Sequence, residues 1–194
     1  MCSVHFCSWV IEIDCMEIRI HSYLAASFLL EQEPSRWDAL VILDSKVSAA
    51  GFVQSQARRH TFLRFDDVDR AKEGRQVVTP DQLVQGFEFA LESKQLLVSC
   101  RAGQSRSAAM AFLIACHNIG VDAALELIDP TKHVPNALVV SLGARVLDMP
   151  EALDAYEKWR YDNRHISLSD HYDQLECEFD ALEARGAVNR IVAR

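Results

Sequence analysis

Between Leu96 and Asn118 the chain changes character twice within a few residues, and few folds accommodate both changes. Leu96-Leu97-Val98-Ser99 reads as a short buried strand, and Cys100 to about Gln104 as a tight polar loop. Ser105 to about Asn118 reads as a helix that is apolar nearly all round. Residues 107–120 carry no formal charge. A helix of that kind needs cover on most of its sides, so it belongs to the interior of a layered domain. Gly120 can end it.

The rest of the chain supplies that cover. Trp9–Ile13, Ala39–Leu43 and Phe62–Phe65 are further strand candidates, and Met16–Ile20 extends or pairs with the first of them. Helical patterns at Ser22–Glu31 and Thr79–Ser93 alternate with these strands. Thr79-Pro80-Asp81 supplies a cap residue, a proline at the first helical position and an early acid. After the uncharged helix come only helices, at Ala123–Ile128, Ala137–Leu147, Glu151–Asn163 and Ser169–Arg185. The pattern predicts an α/β sheet core over residues 1–150 and a helical extension over 151–194, packed on the same domain.

Composition narrows the class. With 194 residues, 49% of them apolar, the chain can bury a sizeable core. Its net charge of −8 argues against clamping nucleic acid through its overall field. The charge is uneven: residues 1–57 sum to −4, residues 58–106 to +2 and residues 121–194 to −6. No apolar run approaches the roughly 18 residues of a membrane span, and no export signal opens the chain. A cytoplasmic protein with no membrane partner is expected. Its six cysteines (2, 7, 15, 100, 116 and 177) contain no C-x-x-C pair, and most are read as reduced packing residues. The histidines show no metal-ligand spacing, so no metal is assigned.

Cys100 stands apart because of its position. It follows a strand and precedes a helix N-terminus, where unpaired N–H groups and the positive dipole end favour a thiolate and an anion. Gly103 permits the backbone to wrap around that anion. Arg106 can return a planar fork to the same anion, and Ser107 can donate a hydrogen bond to the sulfur. A nucleophile, an anion cradle and a bidentate clamp together specify attack on a phosphoryl group. The plainer alternative is a packed cysteine beside a helix-capping serine. It leaves Arg106 at the head of an apolar helix unexplained.

Cys100-x5-Arg106-Ser107 resembles the signature of the cysteine-dependent protein tyrosine phosphatase superfamily, in its compact dual-specificity-like branch. The wider chain resembles a bacterial-type predicted tyrosine phosphatase from about residue 20 to 150, including Phe65-Asp66-Asp67-Val68 and Pro135-Asn136. The resemblance implies a doubly wound, mostly parallel sheet with helices on both faces. It also implies a two-step, cofactor-free reaction through a cysteinyl phosphate. Residues Arg101, Ala102, Gly103, Gln104, Ser105 and Arg106 would hold the phosphate. An aspartate after the preceding strand would serve as acid and base. Asp67 fits the family pattern first, Asp66 second and Asp69 third. Ser99 departs from the family, which usually has histidine before the nucleophile.

The expected partner is a phosphorylated protein or peptide, because phosphoinositide-directed relatives tend to place several lysines in a loop that here offers only Arg101. Arg58-Arg59-His60, Arg64 and Arg70 are read either as positive potential beside the site or as ordinary solvated charges. Two rival readings remain open: a rhodanese-like sulfurtransferase, and an inactive phosphopeptide-binding module.

Overall fold

The computed structural model describes residues 16–47 and 51–191. The expected strand Trp9–Ile13 and the cysteines Cys2, Cys7 and Cys15 lie outside the described residues. Within them, four strands form one sheet: β1 (Glu17–Ser22), β2 (Asp38–Leu43), β3 (Arg59–Arg64) and β4 (Gln95–Cys100), in the order β1-β4-β2-β3. Every neighbouring pair is parallel.

Among the described residues, eight helices connect and follow the strands. They are α1 (Tyr23–Gln32), α2 (Gly51–Gln56), α3 (Pro80–Leu91), α4 (Arg106–Ile119), α5 (Val121–Glu126), α6 (Ala137–Val146), α7 (Pro150–Asp162) and α8 (Leu168–Ala184). The start of α3 forms as its sequence predicts. Thr79 and Gln82 exchange side-chain and backbone hydrogen bonds in a capping box, with Pro80 at the first position. α2 has no sequence counterpart above. Its six residues bury only Val53, too little to show a periodic pattern.

Strand alternation divides the core in two. Leu40, Ile42, Leu96, Val98 and Cys100 point to one face and pack with α3, α4, α6 and α7. Ala39, Val41, Leu43 and Leu97 point to the other, against α1 and α2. Residues Arg106 to Cys116 of α4 are all buried. Each large apolar side chain such as Phe112 contributes about 1.5–3 kcal/mol there. The same burial pushes the Cys116 thiol up to about 12, as suits a packing residue.

A parallel sheet collects the ends of its strands, and this placement matters most for function. The segments after β1, β2, β3 and β4 begin at Tyr23, Asp44, Phe65 and Arg101, all along one edge. Arg58 and Arg59 fall at the opposite edge. Their guanidinium groups pair with Asp38 at 2.7 and 3.0 Å. Of the two readings of these arginines, potential beside the site is therefore set aside. β3 carries the chain about 17 Å, at roughly 3.3 Å per residue, between Arg59 and Arg64.

α8 returns across the carboxyl edge and lies against α1. The Arg185 guanidinium sits 4.8 Å from the Phe28 ring centroid, and the Ser27 hydroxyl donates to the Val188 carbonyl at 2.9 Å. Lys132 and Glu178 form an ion pair at 2.8 Å.

Candidate active site

β4 delivers Cys100 to the carboxyl edge level with Ser22 of β1. The chain then turns through residues 101–105 and enters α4 at Arg106. Gly103 makes that turn possible for two reasons. Its φ is +74°, and a Cβ there would lie 2.4 Å from the Ser22 nitrogen and 2.6 Å from the His21 carbonyl carbon.

The loop turns its carbonyls outward. Those of Arg101, Gln104 and Ser105 accept from the amides of Tyr23 (3.4 Å), Val134 (2.9 Å) and Asn136 (3.2 Å). Among the described residues, the amides of residues 102–105 find no acceptor. The first amides of α4 have none within the helix by geometry. Ser105 stands at the cap position of α4 without capping it. Its hydroxyl donates instead to Asp67 Oδ1 at 2.7 Å. The head of α4 is therefore left open to an anion.

The side chains converge on the same spot. Cys100 Sγ lies 3.1 Å from Ser107 Oγ. Arg106 is buried, donating through Nη1 to the Phe65 carbonyl at 2.8 Å, with Nη2 ion-paired to Asp44 Oδ1 at 2.8 Å. Its Nε is buried without a partner among the described residues. Burial works against the Arg106 charge, yet Cys100, Asp44 and Asp67 together raise its pKa. Cys100 opens into a cavity of about 350 Å³ lined by Asp44, Asp67, Lys72, Arg75, Arg101 and Arg106.

The three candidate aspartates have different surroundings. Asp66 is buried and accepts from the Gln76 amide (2.8 Å), the Ser45 amide (3.2 Å) and the Ser45 hydroxyl (2.8 Å). Burial alone would raise its pKa, but these donors hold it below the usual carboxylate value. Asp66 thus ties the segment after β2 to the one after β3. Asp67 is exposed and lines the Cys100 cavity. Both of its hydrogen bonds, from Ser105 and from Asn136 Nδ2 at 2.8 Å, fall on Oδ1. Oδ2 has no hydrogen bond among the described residues. Asp69 lines the adjoining cavity and not the one over Cys100.

Some sequence candidates turn elsewhere. Gln104 sends its side chain away from the cavity, donating to the His171 carbonyl of α8 at 3.0 Å. Ser99 is fully buried and its Oγ has no partner among the described residues. It stands beside His21 in the strand register. Asp44, Lys72 and Arg75, which the sequence reading passed over, also belong here, as does Asn136, which it named only as part of the resemblance. Asp44 pairs with Arg106, and Lys72 and Arg75 reach the cavity from the segment after β3. Asn136 both caps α6, accepting from the Val139 amide at 3.0 Å, and anchors Asp67. Asp44 had one usable signal: it directly follows a strand of the edge that carries Cys100.

No family model and no curated protein matches the sequence. By fold the chain is similar to the Yvh1 phosphatase domain from Chaetomium thermophilum, with a TM-score of 0.49 and 16% identity over 71% of this chain and 94% of that one. It is similar to PTPMT1 in complex with PI(5)P at a TM-score of 0.48 and 15% identity, over 70% of this chain and 93% of that one. Its similarity to human DUSP28 has a TM-score of 0.45 and 19% identity, over 74% of this chain and 97% of that one.

Proposed function

We propose that the chain is a phosphatase that hydrolyses phosphate monoesters through a cysteinyl phosphate on Cys100. The carrying observation is the convergence, at one cavity, of a cysteine, a buried arginine with a free Nε and an uncapped helix end. In the first step the Cys100 thiolate attacks phosphorus. The bond from phosphorus to the leaving oxygen breaks, and protonated Asp67 gives that oxygen its proton through Oδ2. In the second, water attacks the phosphocysteine, Asp67 takes the water proton and inorganic phosphate leaves. The loop amides and Arg106 neutralise the phosphoryl oxygens in both transition states. Ser107 hydrogen-bonds the sulfur as it departs.

Phosphotyrosine in proteins is the substrate we infer, with phosphoserine and phosphothreonine as secondary substrates. Val68 and Ala102 give the cavity apolar wall for an aromatic leaving group. Phosphate release from an aryl phosphate in excess EDTA is the test. Turnover is expected, and it disappears in Cys100→Ser. No release anywhere between about pH 5 and 8 would overturn the reading. Sulfur transfer from thiosulfate to cyanide would point to a sulfurtransferase instead.

A further inference from the structure

The cavity over Cys100 continues past Asp67. It shares Asp67, Val68 and Lys72 with a second cavity of about 740 Å³. That cavity in turn shares Val134, Pro135, Tyr156 and Arg160 with a third, of about 270 Å³. The three form one groove from the nucleophile, across the head of α6, to the end of α7.

Its lining is cationic in a chain of net charge −8. The second and third cavities carry Arg70, Lys72, Arg160 and Arg164 against two carboxylates, Asp67 and Asp69. Among the described residues, the side chains of Arg70, Lys72 and Arg160 make no hydrogen bond or ion pair. Most other arginines among the described residues are engaged by a hydrogen bond, an ion pair or an aromatic ring. Arg19, Arg36, Arg58, Arg59 and Arg190, for example, are held by carboxylates. The far end is aromatic and has an unused polar atom. Tyr156 and Trp159 stack with centroids 6.5 Å apart. His133, 6% exposed, lines the same cavity and keeps a buried Nε2 with no partner among the described residues.

We infer that this groove binds the chain flanking the phosphorylated residue. Its occupant is an extended phosphopeptide whose acidic side chains meet Arg70, Lys72 and Arg160 and whose apolar or aromatic residue reaches Trp159. The inference rests on the phosphatase reading and names the substrate class of that site. Charge complementarity selects an acidic partner. Elongation and apolar wall from Val68, Val134 and Pro135 select a peptide over a phosphoinositide headgroup, which would fill the first cavity alone. Exposed ion pairs are individually weak, so selectivity comes from several acting together.

The test compares two phosphotyrosine peptides, one flanked by glutamates and a leucine, the other by glutamines and a glycine. Each kcat/KM is taken relative to that for an aryl phosphate. The acidic peptide is expected to be favoured about tenfold or more, less so at high salt. Arg160→Glu is expected to cut that preference about three- to tenfold. Lys158→Glu, the same charge change at an exposed position of α7 outside the groove, leaves it in place. Equal use of the two peptides, a preference that survives Arg160→Glu, or better use of phosphoinositide vesicles would overturn the inference. If neither peptide nor aryl phosphate is turned over, the phosphatase reading fails by itself. Binding of the labelled peptides to Cys100→Ser, with and without Arg160→Glu, then still reads the groove.

Discussion

Each edge of the parallel sheet pairs arginine with aspartate, and the two pairs are built in opposite ways. At the amino edge the aspartate is buried: Asp38 is 0% exposed, while Arg58 and Arg59 are 42% and 35% exposed. Its two oxygens accept from both guanidinium groups, and Arg59 also reaches Glu92. At the carboxyl edge the arginine is buried: Arg106 is 3% exposed against 28% for Asp44. Arg106 keeps one nitrogen without a partner among the described residues, beside an uncapped helix and outward-turned carbonyls. The first arrangement satisfies both carboxylate oxygens and holds β2 to β3. The second leaves donors without a partner among the described residues at a buried guanidinium, where an arriving anion gains most from them. The same ion pair is thus structural at one edge and preparatory at the other.

The sharpest break of this contrast is expected at Arg106. Arg106→Lys keeps the charge and removes the fork, and it should lower aryl phosphate kcat/KM about 10³-fold. The fold should remain, as far-UV circular dichroism would report. Asp67→Asn comes next, with a loss of about 10²-fold on poor leaving groups and much less on activated ones. Asp66→Asn should instead lower Tm and leave the leaving-group dependence alone. Should the two variants exchange behaviours, the acid is Asp66.

These two residues also show how far the sequence could be read. The strand, loop and helix around Cys100 were legible because adjacent residues carry them: an apolar strand, a glycine and an uncharged helix. Asp66 and Asp67 are neighbours after the same strand, so local pattern ranked them only by family likeness. What separates them is remote, since Ser45 and Gln76 occupy Asp66 while Ser105 and Asn136 hold Asp67. Arg58 and Arg59 lie few residues from the site in sequence and at the other end of a strand in space. Asp44, Lys72 and the use of Gln104 by α8 depend likewise on which strands are neighbours, and no local period encodes that.

At the amino edge, Asp38→Ala should destabilise the protein by about 1–3 kcal/mol in chemical denaturation, because the half-exposed arginines regain water. The kinetics of the folded protein should be unchanged. A smaller effect distinguishes the edges on acidification. Burial, with Lys132 nearby, lowers the His133 pKa from 6.5 to about 4, Asp129 opposing and His21 and His171 adding to the shift. The unfolded chain therefore takes up this proton first. Its contribution is complete above pH 6.5 and lost as the pH falls towards 4, with about 1 kcal/mol gone between pH 7 and pH 5.5. His133→Gln should flatten that slope in pH-dependent unfolding. Asp38, held below its usual pKa by hydrogen bonds from Arg58 and Arg59 that outweigh its burial, should stay charged through the same range.

The most direct measurement is acid-quench trapping of the enzyme during turnover of an aryl phosphate, followed by mass mapping of the phosphorylated peptide. The account predicts one phosphate per chain on Cys100, formed in a burst and missing in Cys100→Ser. Steady turnover with no phosphate on Cys100, or phosphate release that persists in Cys100→Ser, would contradict it.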